Sequence, residues 1–308
     1  MKRSTATLLL LTLFGACVKE NTGTVEQVRA SLPSSENLRI AVPESQGKEL
    51  GELSDAYVLT RGVTGIVNGG AAVILILART VTLFPPTSVE GSTYIWGPWG
   101  GNALQPAEYR MTVMRQSDGD YHWTFEGRRK ADGAGAPFQT VVNGVATPGE
   151  PGRGSGSFQI DFNIAEVLDP VGNSGEGTLA VTYDLESEPK TLSVNWEDIG
   201  GDPTASVEYK YSETQDGAGD FQFTALADSE DPGPLADVIE MRSRWNATGA
   251  GRADARIASG DSPEVLQVTA SECWNNSFAL VYRTDSADWM PTLGDPASCA
   301  FTSPALPE

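Results

Sequence analysis

Histidine is nearly absent from this chain: His122 is the only one in 308 residues. A metal site needing two imidazoles is therefore excluded. A Ser-His-Asp triad would have to use His122, and no Gly-x-Ser-x-Gly elbow supplies its serine. His122 alternates with Tyr121 and Trp123, beside Thr124 and Glu126, so it reads as an ordinary surface residue on the polar face of a strand. Positive charge is scarce as well, with 21 Lys and Arg against 41 Asp and Glu. Such a surface repels phosphate backbones and anionic headgroups, and nucleic acid is not an expected partner. Gly152–Gly156 superficially resembles a phosphate loop. It lacks the Gly-Lys-Ser/Thr ending and leads into a strand, so it is read as a flexible hairpin connection. No cofactor and no metal are expected.

The acids are spread thinly, which suits a solvated folded surface rather than an acidic tail. Paired carboxylates are the tools of glycosidases, but with 41 acids pairs arise by chance and none stands out. Asp118-Gly119-Asp120, Asp216 with Asp220, and Asp228-Ser229-Glu230-Asp231 raise the question of calcium. None matches the twelve-residue calcium loop, and turn chemistry accounts for Asp and Gly there. With no catalytic constellation in the sequence, the chain is read as non-enzymatic, a hydrolase being the least favoured alternative.

Only three cysteines occur, Cys17, Cys273 and Cys299. The first closes a distinctive start. Lys2 and Arg3 are followed by the apolar run Leu8 to Phe14, too short to span a bilayer, and then by Phe14-Gly15-Ala16-Cys17. This resembles the signal peptide and lipobox of bacterial lipoproteins, with Phe14 where that family usually has an aliphatic residue. The resemblance covers under a tenth of the chain. It implies cleavage after Ala16 and lipid attachment at Cys17. Acyl chains bury CH₂ groups at ~0.8 kcal/mol each, enough for a lasting anchor. It also implies a place in the bacterial envelope, and Val18 is compatible with export to the outer membrane. A plain secretory peptide cut at Ala16 is the alternative. Cleavage leaves 19 basic residues against 41 acidic ones. The remaining pair, Cys273 and Cys299, reads as a disulfide in an exported chain, worth roughly 3.5 kcal/mol in the chain-entropy model. A thiolate metal site is the weaker alternative, since no histidine lies near.

Residues 17–46 are polar, with Asn21, Thr22, Gly23, Pro33, Ser34, Ser35 and Pro43. They read as a flexible tether, with a short helical turn at Thr24–Ser31. Residues 47–308 are expected to form a single β-rich domain opening with a helix at about 51–84. In that helix Val63, Ile66, Val67, Gly70, Ile74, Leu77, Val81 and Phe84 recur at steps of three and four, and Pro85-Pro86 stops it. Ala71 to Ala78 is apolar on every side and must be enclosed by protein or lipid. A membrane span is disfavoured because the run from Val63 contains Asn68 and ends at Arg79; a strand over Ala71–Phe84 is the other alternative. Gly69-Gly70, costing about 2 kcal/mol relative to alanines, predicts a bend.

From Tyr109 the apolar period becomes two. Phe158, Ile160, Phe162 and Ile164 alternate with polar residues; so do Leu179–Leu185, Leu192–Trp196 and Val207–Tyr211. Further strands read at Tyr109–Gln116, Tyr121–Arg128, Phe138–Val142, Phe221–Leu226, Val238–Trp245, Ala253–Ser259, Val265–Glu272 and Phe278–Arg283. Asp118-Gly119 and Asn143-Gly144 are hairpin dipeptides, and Asp216–Asp220 is a longer tight loop. Arg242, Arg244, Trp245, Gly249, Gly251 and Arg252 make a distinctive strand-turn-strand passage. Short links imply a meander, and a sheet this wide must curl. The expected fold is mainly β (α+β): a large curled antiparallel meander, barrel or half-barrel, packed around the apolar helix.

Trp96-Gly97-Pro98-Trp99-Gly100-Gly101 is the most unusual local cluster. Trp96 and Trp99 are candidates either to stack on a ligand or to cap one end of the core. Two functions compete. In the first the chain is a membrane-anchored structural or partner-binding protein of the envelope. In the second its curved sheet carries an apolar ligand, as lipocalin-like proteins do. What fills the concave face decides between them: Val63, Ile74, Leu77 and Val81 packed there would leave no room for lipid.

Overall fold

The computed structural model describes residues 22–44, 52–100, 105–150, 153–172, 175–202, 205–227, 236–258 and 267–306. Two helices open it, α1 (Thr22–Ser31) and α2 (Asp55–Thr82). The strands β1 (Ser88–Glu90), β2 (Thr93–Trp99), β3 (Ala107–Arg115), β4 (Tyr121–Arg129), β5 (Gln139–Pro148) and β6 (Gly154–Asp161) follow. A short helix α3 (Phe162–Leu168) precedes β7 (Thr178–Asp184), β8 (Lys190–Glu197), β9 (Ser206–Glu213), β10 (Gly219–Ala227) and β11 (Asp237–Trp245). The chain closes with β12 (Gly251–Ala258), β13 (Gln267–Trp274), β14 (Leu280–Asp285) and β15 (Leu293–Gly294). Among the described residues fifteen strands form one antiparallel sheet in sequence order, open at β1 and β15. The curled meander read from the sequence is therefore what the chain builds.

Four hairpins turn in the same way. Gly119 N donates to Gln116 O, Gly217 N to Thr214 O, Gly249 N to Asn246 O and Phe278 N to Asn275 O. In each the fourth residue has positive φ. Glycine fills that position three times. Phe278 takes it at φ 62, where a bulky side chain is unfavourable. Its ring stacks on Tyr57 with centroids 4.6 Å apart and is almost fully buried, which offsets the strain.

The inward faces share a second construction: an aromatic ring on one strand lies over the glycine paired with it on the next. Tyr109 faces Gly127, Trp123 faces Gly144, Tyr183 faces Gly156, Trp245 faces Gly219 and Trp274 faces Gly251. A Cβ on any of these glycines would come within 3.0 Å of ring atoms. The missing side chain lets the ring lie flat along the sheet, so large aromatics fit on an inward-curving face.

Three sequence expectations about strands and turns are corrected. Asn143-Gly144 is no turn; it lies inside β5, because Gly144 is needed opposite Trp123 rather than for a positive φ. Phe162 and Ile164 do not continue β6. Asp161 caps α3 by accepting from Ile164 N at 3.0 Å, and the local cap overrides the alternation. Gly154–Gly156, expected within a flexible connection, belongs to β6.

Residues 22–44 do not behave as a tether. Val28 of α1 and Leu32, Leu38 and Ile40 of the strap that follows belong to the main core cluster. The strap is pinned to α2: Ile40 N donates to Asn68 Oδ1 at 2.9 Å, and Asn68 Nδ2 donates to Ile40 O at 3.1 Å. Its apolar residues are separated by polar ones, which is why composition alone disguised it. The remainder of 17–46 lies outside the described residues, as do the signal segment 1–16 and Cys17.

Helix α2 runs uninterrupted through Gly69-Gly70. Its start is fixed at one end of the sheet, where Leu53 bridges Ala279 and Leu280 N donates to Glu52 O at 2.9 Å. Its end is fixed at the other, where Trp96 Nε1 donates to Phe84 O at 2.9 Å. A 28-residue helix is ~42 Å long. The eleven strand spacings between β2 and β13 cover ~53 Å along the sheet. The helix is thus a chord shorter than the arc, and the sheet bows around it.

Candidate functional site

The described residues that gather around α2 and the strap define the candidate site. Ser54 caps α2, accepting from Tyr57 N at 3.2 Å. Its hydroxyl donates to Glu272 Oε2 at 2.8 Å, and Ala56 N donates to the same oxygen at 3.0 Å. A buried carboxylate on β13 therefore sits at the helix N-terminus, where the unpaired amides and the dipole favour negative charge. One turn further, Thr60 is hydrogen-bonded to Ser243 Oγ of β11 at 3.0 Å.

Along the hairpin rim a cleft of about 540 Å³ opens between the strap and the ends of β6–β10. Glu36 and Asn37 form one wall; Arg153, Glu188, Lys190 and Glu213 stand on the other. These groups hold one another. Lys190 Nζ lies 2.8 Å from Glu213 Oε2, Gln215 N donates to Glu188 Oε1 at 2.9 Å, and Arg153 Nε donates to Leu185 O at 3.0 Å. Glu213 also accepts from the Tyr211 hydroxyl, which in turn accepts from Ala41 N of the strap at 3.3 Å. Burial, and then Glu213, push the Tyr211 phenol well above its ordinary range. The cleft is a polar joint that seats the strap against the hairpins. Its lining carries three acids, Glu36, Glu188 and Glu213, against two cations, Arg153 and Lys190.

On the outward face a second charged group lies under the C-terminal segment. Arg252 and Asp254 are buried on β12 with Nε 2.8 Å from Oδ1, and Ser271 Oγ donates to the same oxygen at 2.6 Å. Ala305 N donates to Asp254 Oδ2 at 3.2 Å, and Arg244 stacks over the Phe301 ring. The Cys273–Cys299 disulfide, as expected, ties this segment to β13. The sequence marks Arg244 and Arg252 as part of a distinctive passage without showing what they meet. Their burial depends on a segment folding back from beyond β15, which no local pattern announces.

Trp96 is buried in the main core and Trp99 packs partly buried against Phe125, so both indoles close the core near the end of α2. His122 is exposed on β4. Among the described residues no group of three or more His, Cys, Asp or Glu side chains could hold a metal ion. Of the residues expected to fill the concave face, Val63 and Val81 pack partly buried against the core; the side chains of Ile74 and Leu77 lie outside the described residues. Glu272, Asn68 and the strap residues Leu38 and Ile40 are what sequence reasoning missed. The one available signal was Asn68 itself, a polar residue within an apolar helix.

Comparison of the chain with family models, with curated proteins and with solved structures finds no match. Its class rests on architecture alone: an open antiparallel meander bowed around its own N-terminal helix and strap.

Proposed function

We propose that this chain is an exported, lipid-anchored protein of the bacterial envelope, with a structural or partner-binding role and no enzymatic activity. The observation that carries the reading is Cys17, placed directly after Phe14-Gly15-Ala16 and a short apolar run. The Cys273–Cys299 disulfide supports it, because such bonds persist in oxidising compartments outside the cytosol. The strap and α2 occupy the face on which an apolar ligand would lie, which argues against the lipid-carrier alternative. The protein's partners are then the membrane, through its anchor, and another envelope protein.

The test is made on the native chain. Mass spectrometry of its N-terminal peptide is expected to show an acylated Cys17 following loss of residues 1–16. Cys17→Ser is expected to move the protein from the membrane fraction to the soluble one. An intact N-terminus, or a free Cys17 thiol, overturns the reading.

A further inference from the structure

Among its described residues, helix α2 buries threonines beside apolar side chains and leaves other apolar side chains exposed. Toward the sheet it turns Tyr57, Thr60, Thr64, Leu75, Ala78 and Thr82, all buried, with Asn68 partly buried among them. The three threonines are satisfied along the helix itself, donating to Ala56 O, Thr60 O and Arg79 O at 2.7, 2.9 and 2.9 Å. Toward solvent, Val58 and Leu59 are 50% and 54% exposed, and Leu83 and Phe84, just beyond the helix, 60% and 65%. Gly62 and Gly65 are exposed, with open space where a side chain would stand. A ridge with apolar ends and a bare glycine section therefore faces outward.

The stretch that carries this ridge is itself poor in acid, with Glu44 of the strap beside it, 3.6 Å from Arg61 Nη2. From Ala56 to Val89 there is no Asp or Glu, although acids make up 41 of the chain's 308 residues; Arg61 and Arg79, both exposed, are its only charges. In so acidic a chain this stretch is one that a lipid headgroup layer does not repel. Among the described residues no helix is long and apolar enough to cross a membrane; an interfacial helix would make its contact along the surface.

The position of the anchor agrees. Four residues lie between Cys17 and Thr22, so the two are at most ~18 Å of chain apart. Helix α1 adds ~15 Å and is tied to the end of α2 by Arg29, whose Nε and Nη2 donate to Thr82 O at 3.0 and 2.6 Å. Acyl chains at Cys17 would bring Leu83 and Phe84 within about 30 Å of the bilayer.

We propose that the two exposed apolar pairs at the ends of α2, Val58-Leu59 and Leu83-Phe84, lie on the lipid surface as a second membrane contact. The proposal rests on the lipid-anchor reading for its orientation, but it is read out separately. The Cys17→Ser chain cannot be acylated, so its sedimentation with phosphatidylcholine vesicles reports the ridge alone. Binding is expected, and L83E/F84E is expected to weaken it at least ten-fold. V58E/L59E, at the opposite end, is expected to do the same, with Gln159→Glu on the outward sheet face as the neutral control. Absence of vesicle binding by the Cys17→Ser chain overturns the proposal, as does binding unchanged in both double variants. A dimer that the same substitutions dissociate, without vesicle binding, assigns the ridge to a second copy and also overturns it. Failure of acylation would appear only in the mass of the N-terminal peptide.

Discussion

A glycine paired across strands with an aromatic ring is the smallest unit that shapes this molecule. At Gly144 a Cβ would stand 2.6 Å from Trp123 Cε2. Gly144→Ala therefore has to push a fully buried indole off its rotamer, and a loss of about 2 kcal/mol is expected in urea unfolding. Gly62 is the contrasting case. It lies within α2 with nothing within 4 Å of an added methyl, and Gly62→Ala is expected to raise stability by about 0.8 kcal/mol through helix propensity. The two substitutions are chemically identical and of opposite sign, and the difference lies in what surrounds each backbone. The sequence places Gly beside Asn at 143–144 and so reads as a turn; only the ring lying across it shows why a strand keeps that glycine.

At the scale of elements, the strands were legible because inward and outward residues alternate over long stretches, as in Leu179–Leu185 and Leu192–Trp196. Helix α2 was legible from its period and from Pro85-Pro86. Its orientation was not: the apolar period sets Phe84 on the inward stripe, whereas the structure exposes Phe84 and buries Thr60, Thr64 and Thr82. Polar anchors decide this. Glu272 accepts from Ser54 and Ala56 at the helix start, Ser243 holds Thr60, and Asn68 holds the strap. Glu272→Ala is expected to destabilise the chain by about 2–3 kcal/mol, because buried donors at the helix start lose a charged acceptor. Glu272→Gln, which keeps one acceptor oxygen, is expected to cost less than half as much. Equilibrium urea unfolding of the three proteins measures both, and equal losses would remove the carboxylate from this role.

Across the whole molecule, one interior links sheet, strap and helices, and three tyrosines report on it. Burial raises the phenol pKa of Tyr183, Tyr209 and Tyr211 above the ordinary value of 10.0. A raised folded-state value means the neutral phenol is favoured by folding. That stability is fully present below pH ~10, the unfolded value, and is lost as pH rises beyond it. The protein is expected to hold its stability from neutral pH to about pH 10 and to unfold cooperatively above it. In absorbance at 295 nm these phenols should ionise together with loss of the near-ultraviolet dichroism. Titration of all the tyrosines near pH 10 without unfolding would show that the interior is open to water.

The order of residues alone establishes a wide antiparallel meander with one long N-terminal helix and a Cys273–Cys299 crosslink. Strand alternation, helical period and cysteine pairing are local or nearly local properties, and they can be read one segment at a time. Three features emerge only when the chain is folded: residues 22–44 are core rather than tether, Arg252 and Asp254 are buried, and α2 turns its threonines inward. Each of these depends on which distant group arrives to satisfy a polar atom. Desolvation makes an unpaired buried polar group expensive, so the fold is settled by partners that lie tens to hundreds of residues away.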